Sequence, residues 1–261
     1  MKTINSLSNQ KIKDLVKLQK SRERKASGLF IIDGAREIEL AIKEEIEVLE
    51  LFYSPRLIKN MVCGFFGVDR EKITEVSEEI FAKICYKESP DGYFALAKNK
   101  SVKLEQIRLS KKPLIIILEA VEKPGNLGAI LRTAYAAGVD AIIINDNQTD
   151  IYNPNVIRAS EGYVFSLPII ISSIKETTEW LKKNNITGFA AATTAKGKYT
   201  KENMNLPIAI ILGSEAQGLS EKWLTMADKL VKIPMNKGID SLNVSVSAAI
   251  LLYEALRQRE L

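Results

Sequence analysis

The sequence contains no histidine, only two cysteines among 261 residues, and only 7% aromatic residues. Without an imidazole there is no histidine base and no Cys/His zinc site. Cys63 and Cys85 stand too far apart for a Cys-x-x-Cys pair. No apolar run approaches the roughly 18–20 residues of a membrane span, and no apolar stretch follows the charges near the N-terminus as it would in a secretory signal. The expectation is a cytoplasmic protein with no metal and no membrane partner, whose chemistry rests on Arg, Lys, Glu, Asp, Ser, Asn or Tyr.

What is present suits one large or two ordinary globular domains, with 46% hydrophobic and 26% charged residues. The net charge of +5 is uneven along the chain. Residues 1–25 hold eight Lys/Arg against two Asp/Glu, residues 26–97 eight against fourteen, residues 98–112 six against one, and residues 113–261 fifteen of each. Positive charge thus sits in "KIKDLVKLQKSRERK" and "KNKSVKLEQIRLSKK". Such runs are either solvated faces and linkers or the footprint of a polyanion.

The second basic run also marks a boundary, because a Glu-rich region ends there and a regular β/α alternation begins. The expected domains are 1–107 and 108–261. In the first, the pattern predicts a helix over 9–24 capped by Ser8, then a strand at "GLFIIDG", a helix at "AREIELAIKEE" and a strand at "IEVLELFYS". A helix at "VSEEIFAKICY", the turn "SPDG" and a strand at "GYFALAK" complete it. In the second, "PLIIILEAV", "DAIIIND", "LPIIIS", "TGFAAATT", "LPIAIILG" and "KLVKIPM" read as strands. Helices at "NLGAILRTAYAAGV", "NPNVIRASEG", "IKETTEWLKKN" and "SEKWLTMAD" separate them, and a last helix starts at about Val244. Continuous apolar strands interleaved with helices predict an α/β fold with a parallel sheet covered on both faces. Ligands of such sheets bind beyond the carboxyl ends of the strands.

Three loops at those ends carry polar residues. "EKPGNLGAILR" places Asn126 at a helix start and Arg132 six residues on; its Gly-x-x-Gly resembles half of a dinucleotide fingerprint, but the middle glycine is absent. "ILGSEAQGLS" carries Glu215 where a phosphate loop would present only N–H groups, which disfavours NAD and ATP and suits a cationic partner. Taken alone, this loop is better explained by a helix cap at Ser214 or Ser220. "DSLNVS", residues 240–245, leads a buried helix out of a polar loop; it is either a cap or a ligand wall.

Together "NLGAILRTAYAAGVDAIII", "IILGSEAQGLS" and "IPMNKGIDSLNVSVSAAILLYEALRQ" resemble the three successive motifs of the SpoU (TrmH-type) RNA ribose 2′-O-methyltransferases. "VIRASEGYVFSLPI" is similar to a segment of the thiostrepton-resistance rRNA enzymes of that family, and "GLFIIDGAREIELAI" with "ESPDGYFALA" resembles its N-terminal substrate-binding domain. One departure is Lys123, which stands between Glu122 and Pro124 where the family usually has an acid; no catalytic role is assigned to Glu122.

The resemblance implies an L30e-like α/β domain followed by an α/β-knot (SPOUT) domain. The C-terminal segment of that domain threads a loop into a trefoil knot, an exception to the rule against threaded connections. It further implies a homodimer through the knot domain and bent S-adenosylmethionine against Gly213, Ser214, Ile233, Leu242 and Val244. The implied reaction is methyl transfer to a ribose 2′-hydroxyl of RNA, without a metal. Arg132 would be central, Asn126 and Glu215 would orient it, and Ser241 and Asn243 would complete the pocket floor. The N-terminal domain favours 23S rRNA over tRNA; a tRNA enzyme or an inactive RNA-binding member of the fold are the alternatives.

Overall fold

The computed structural model describes residues 2–58, 63–85 and 90–259. Tyr86, at the end of one expected helix, and Ser89, at the start of an expected turn, lie outside them, as do the last two residues of the expected 108–261 domain. The chain forms two compact units, one of residues 1–100 with 150–166 and the other of 101–149 with 167–261.

The first unit contains β1 (Lys2–Ile4), α1 (Gln10–Lys17), α2 (Ser21–Ser27), β2 (Leu29–Asp33), α3 (Ala35–Lys43), β3 (Val48–Tyr53), β4 (Ile73–Val76), α4 (Glu78–Ile84) and β5 (Tyr93–Lys98). Its sheet runs β1-β4-β3-β5-β2, with β5 antiparallel to both neighbours and the other pairs parallel. Ile12 and Leu15 of α1 and Ile80, Phe81 and Ile84 of α4 cover this sheet over Phe52 and Phe94. The stretch expected as one helix over 9–24 is two. Asn9, not Ser8, caps α1 by accepting from the Lys11 N–H at 2.9 Å, and Lys20 is extended. The break frees the carbonyls of Leu18 and Gln19, and the Arg24 guanidinium binds both at 2.7 and 2.9 Å. β1 and β4 had no sequence signal, being only three and four residues long.

The second unit holds β6 (Leu114–Glu119), α5 (Pro124–Ala136), β7 (Ala141–Asn145), and, beyond the short helix α6 (Pro154–Ala159) of the other unit, β8 (Ile169–Ile171). There follow α7 (Ile174–Lys183), β9 (Thr187–Ala191), β10 (Gly197–Lys198), β11 (Ile208–Leu212), α8 (Glu221–Met226), β12 (Lys229–Lys232) and α9 (Val244–Gln258). The seven strands lie in the order β10-β12-β9-β11-β6-β7-β8, every pair parallel. Every residue of β6, β7 and β11 is buried, which is why these strands read as unbroken apolar runs. The second basic run joins this unit: Leu104 is in its core, and Val102, Ile107 and Leu109 pack against it. No helix among the described residues is long and apolar enough to cross a membrane.

Residues 150–166 leave between β7 and β8 and are built into the first unit. Tyr152 stacks on Phe30 with ring centres 4.2 Å apart, and its hydroxyl donates to the Lys100 carbonyl at 2.8 Å. Gly162 sits at φ +82° so close to α3 that a Cβ would lie 3.3 Å from the Glu37 backbone. Asp150 pairs with Arg24 at 2.7 Å, their side chains 10% and 4% exposed. Removing one partner of such a pair leaves a buried, uncompensated charge, at a cost of about 3–5 kcal/mol. Asp150→Ala should therefore speed amide hydrogen exchange throughout β2 and β5, equivalent to a loss of about 3 kcal/mol. Exchange unchanged in those strands would show that the two backbone carbonyls alone satisfy Arg24.

Candidate active site

The loops after β6 and β11 and the approach to α9 converge on one carboxylate. β6 ends at Glu119, a buried side chain that accepts from the Ser220 N–H at 2.8 Å and so ties β6 to the far end of the β11 loop. The chain then turns at Ala120, in the left-handed region at φ +53°. Thr149 donates to the carbonyls of Val121 and Glu122, each at 2.7 Å, holding the segment that leads into α5. Pro124 suits the first turn of α5, where its missing N–H has no partner to lose, and Asn126 follows two residues later.

After β11 the loop closes on itself, with Ser214 and Gly218 exchanging backbone hydrogen bonds at 3.1 and 3.0 Å. Gly213 must lack a side chain here: a Cβ would lie 2.2 Å from the Gly218 carbonyl carbon and oxygen. Between these two ends the loop projects Glu215, whose side chain is 25% exposed. Ser220, not Ser214, is the N-cap residue of α8, and its hydroxyl makes no capping hydrogen bond.

Asn243 is the N-cap of α9, its Oδ1 accepting from the Ser245 N–H at 2.9 Å. Its Nδ2 donates to Glu215 Oε1 at 2.9 Å and to Asn126 Oδ1 at 3.2 Å. One amide therefore caps the helix with its oxygen and binds Glu215 with its nitrogen. Aspartate could serve as the cap but has no hydrogen to donate to the carboxylate. Asn126 Nδ2 also donates to Glu215 Oε1, and the Lys123 ammonium binds Oε2. The hydrogen bond and the charge of Glu215 hold Lys123 above the ordinary lysine pKa. At its far end α9 is fixed by Arg259, which donates to the carbonyls of Lys112, Met204 and Leu206 at 2.9, 3.1 and 2.7 Å.

Glu215 stands between two pockets. A cavity of about 430 Å³ is lined by Gly213 to Leu219, Ile233, Met235, Asp240 to Leu242 and Val244, together with Thr193 and Thr194. Among the described residues lining it there is no Lys or Arg, while Glu215 and Asp240 are acids. A smaller one of about 260 Å³ is lined by Val121, Glu122, Lys123, Asn126, Glu215, Ala216 and Val244. Glu215, Ala216 and Val244 line both. Among the described residues, no group of three or more Cys, Asp or Glu is placed to hold a metal ion.

The residues singled out in the sequence are therefore distributed as follows. Asn126, Glu215 and Asn243 form a single hydrogen-bonded cluster, while Gly213, Ser214, Ile233, Ser241, Leu242 and Val244 line the larger cavity. Arg132 is exposed on α5. Six residues at 3.6 per turn place it about 120° around the helix from Asn126. Sequence reasoning passed over Lys123, visible only as a base where an acid was expected, and the buried anchors Glu119 and Thr149, which had no local signal.

Comparison with known proteins gives two family matches, the SpoU rRNA Methylase family over residues 113–253 and an MRM3-like substrate binding domain over residues 9–95. The chain is 30% identical over 255 residues to the 23S rRNA (guanosine(2553)-2′-O)-methyltransferase of Bacillus subtilis, covering 97% of this chain and 98% of that one. A solved RNA 2′-O ribose methyltransferase superposes with a TM-score of 0.86 at 40% identity, over 99% of this chain and 100% of that one. An AdoMet-bound rRNA methyltransferase from Sinorhizobium meliloti superposes with a TM-score of 0.90 at 26% identity, over 98% and 97% of the two chains.

Because the Gly213 contact is with backbone, it cannot be relieved by a rotamer change. Gly213→Ala should open the Ser214–Gly218 turn and cost about 1–3 kcal/mol, read as a melting temperature lower by several degrees. A melting curve matching that of the unaltered chain would mean the loop has room that the structure denies it.

Proposed function

The chain belongs to the SpoU rRNA methylase family, and from that premise we propose that it methylates a ribose 2′-hydroxyl of large-subunit rRNA at the Glu215 wall. The observation that carries the reading is the Asn126–Glu215–Asn243 cluster, whose Glu215 lines both a cavity with no Lys or Arg among its described residues and a second pocket beside it.

The larger cavity fits S-adenosylmethionine on its own terms. Its volume is in the range of ligand sites, and its lining combines backbone groups with the apolar Leu212, Leu219, Val231, Ile233 and Leu242. With two acids and no base among its described lining residues, it suits a cofactor that carries a positive centre and no phosphate. When bound, S-adenosylmethionine supplies an electrophilic sulfonium methyl group. Gly213, Ser214, Ile233, Leu242 and Val244 are the residues that would hold it.

A neutral ribose hydroxyl is a poor nucleophile, so the chain must align it and stabilise the alkoxide that develops. Asn126 and Asn243 supply fixed polar groups at the wall, with Glu215 orienting the two amides, and Ser241 adds a hydroxyl from the lining of the larger cavity. Arg132 acts as a cation rather than a base, since a guanidinium does not give up its proton at neutral pH. It grips a phosphate flanking the target ribose and lowers the effective pKa of the hydroxyl. The N-terminal unit with its basic helices α1 and α2 binds the RNA backbone, which makes affinity salt-dependent. α5 and α9 expose Tyr135, Val246 and Tyr253, at 40%, 46% and 52%, and these apolar faces form the contact of a homodimer. The protein acts in the cytoplasm.

Lysine keeps the charge of Arg132 but not its planar fork. Arg132→Lys should lose about 100-fold in single-turnover methyl transfer while binding S-adenosylmethionine with unchanged affinity by calorimetry. Near-normal turnover in that variant would remove the arginine from the central role.

A further inference from the structure

We propose that Lys123 is a phosphate-binding residue for the RNA substrate, held in the RNA-free protein by Glu215 and released from it when the nucleotide enters the smaller pocket. This rests on the methyltransferase reading above and adds to it a residue that the reading leaves without a task.

Lys123 is the N-cap of α5 by position, but its side chain makes no capping hydrogen bond and is 71% exposed. Only its ammonium is engaged, on Glu215 Oε2. Both asparagines donate to the other oxygen, Oε1, so the carboxylate keeps two donors when Lys123 leaves. Lys123 is thus dispensable for holding Glu215 in place. The lysine end of the pair is exposed, at 71% against 25% for Glu215, so the ammonium can exchange its partner while the carboxylate stays in place.

Charge gives the direction of exchange. The smaller pocket is lined by two carboxylates, Glu122 and Glu215, and one ammonium, Lys123. A nucleotide entering it brings further negative charge, which the pocket as it stands would repel. Swinging Lys123 from Oε2 to a phosphate oxygen replaces one anionic partner by another and turns the only cation among the described lining residues toward the substrate. The surroundings permit close approach. Gly125, two residues on, is exposed, and a Cβ there would meet nothing within 4 Å. The amino-terminal end of the 13-residue α5 carries the positive end of its dipole to the same place. Because the pocket meets the larger cavity at Glu215, Ala216 and Val244, a phosphate held by Lys123 lies next to where the reacting ribose must be.

A double-mutant cycle separates a phosphate contact from a residue that merely holds Glu215. Affinity for unmodified large-subunit rRNA transcript is measured at several salt concentrations for the unaltered chain, Lys123→Met, Glu215→Gln and the double variant. The expected result is that Lys123→Met weakens binding and lowers the slope of log Kd against log salt by about one, whether or not Glu215→Gln is also present. Lys123→Arg restores both. A Lys123→Met effect confined to chains that retain Glu215, or an unchanged salt slope, would overturn the proposal. Methyl transfer by the unaltered chain is scored separately: its absence removes the premise and the proposal with it, whereas transfer with an unchanged slope removes the proposal alone.

Discussion

The site depends on a single carboxylate, Glu215, being held still between two pockets. Its three partners come from one helix start and one helix approach: Lys123 and Asn126 at the beginning of α5, and Asn243 at the beginning of α9. The amino-terminal ends of two long helices offset the cost of a partly buried negative charge, and the two amides fix its direction. In turn the carboxylate holds both helix starts together, so the same contacts that order the wall also define where α5 and α9 begin.

The tight turn after β11 is the second constraint. A loop that carries a charge into a pocket gains from being stiff, because every degree of freedom lost on binding weakens the bound state. The Ser214–Gly218 closure, the bare backbone at Gly213 and the Glu119 carboxylate on the Ser220 N–H remove most of that freedom beforehand. Glu119 lies at the end of a strand whose other residues are wholly apolar, and this anchoring contact accounts for an acid in that position.

Much of this was legible in the chain. β6, β7 and β11 announce a doubly covered parallel sheet because no solvent-facing side interrupts their apolar runs, and the three polar loops follow from where those strands end. Glu215 could be separated from a phosphate loop by charge alone, and Gly213, Ser214, Ile233, Ser241, Leu242 and Val244 of the larger cavity were named by the motif resemblance. Other features depend on partners distant in sequence. The break between α1 and α2 is stabilised by Arg24, whose carboxylate partner Asp150 lies 126 residues away. The building of residues 150–166 into the first unit, and the docking of the basic run through Val102, Leu104, Ile107 and Leu109, arise from burial that composition does not reveal. Lys123 looked like a departure from a pattern, and its pairing with Glu215 became visible only in three dimensions.

The central claim is that this wall transfers a methyl group to rRNA ribose. The most direct measurement is transfer of labelled methyl from S-adenosylmethionine to unmodified large-subunit rRNA and, in parallel, to bulk tRNA, with nuclease digestion to locate the label and Arg132→Ala as the control. Label in the ribose of rRNA, absent with the variant, is the predicted result. Label in tRNA alone would contradict the substrate, and label in neither RNA, naked or within ribosomal particles, would contradict the reaction itself.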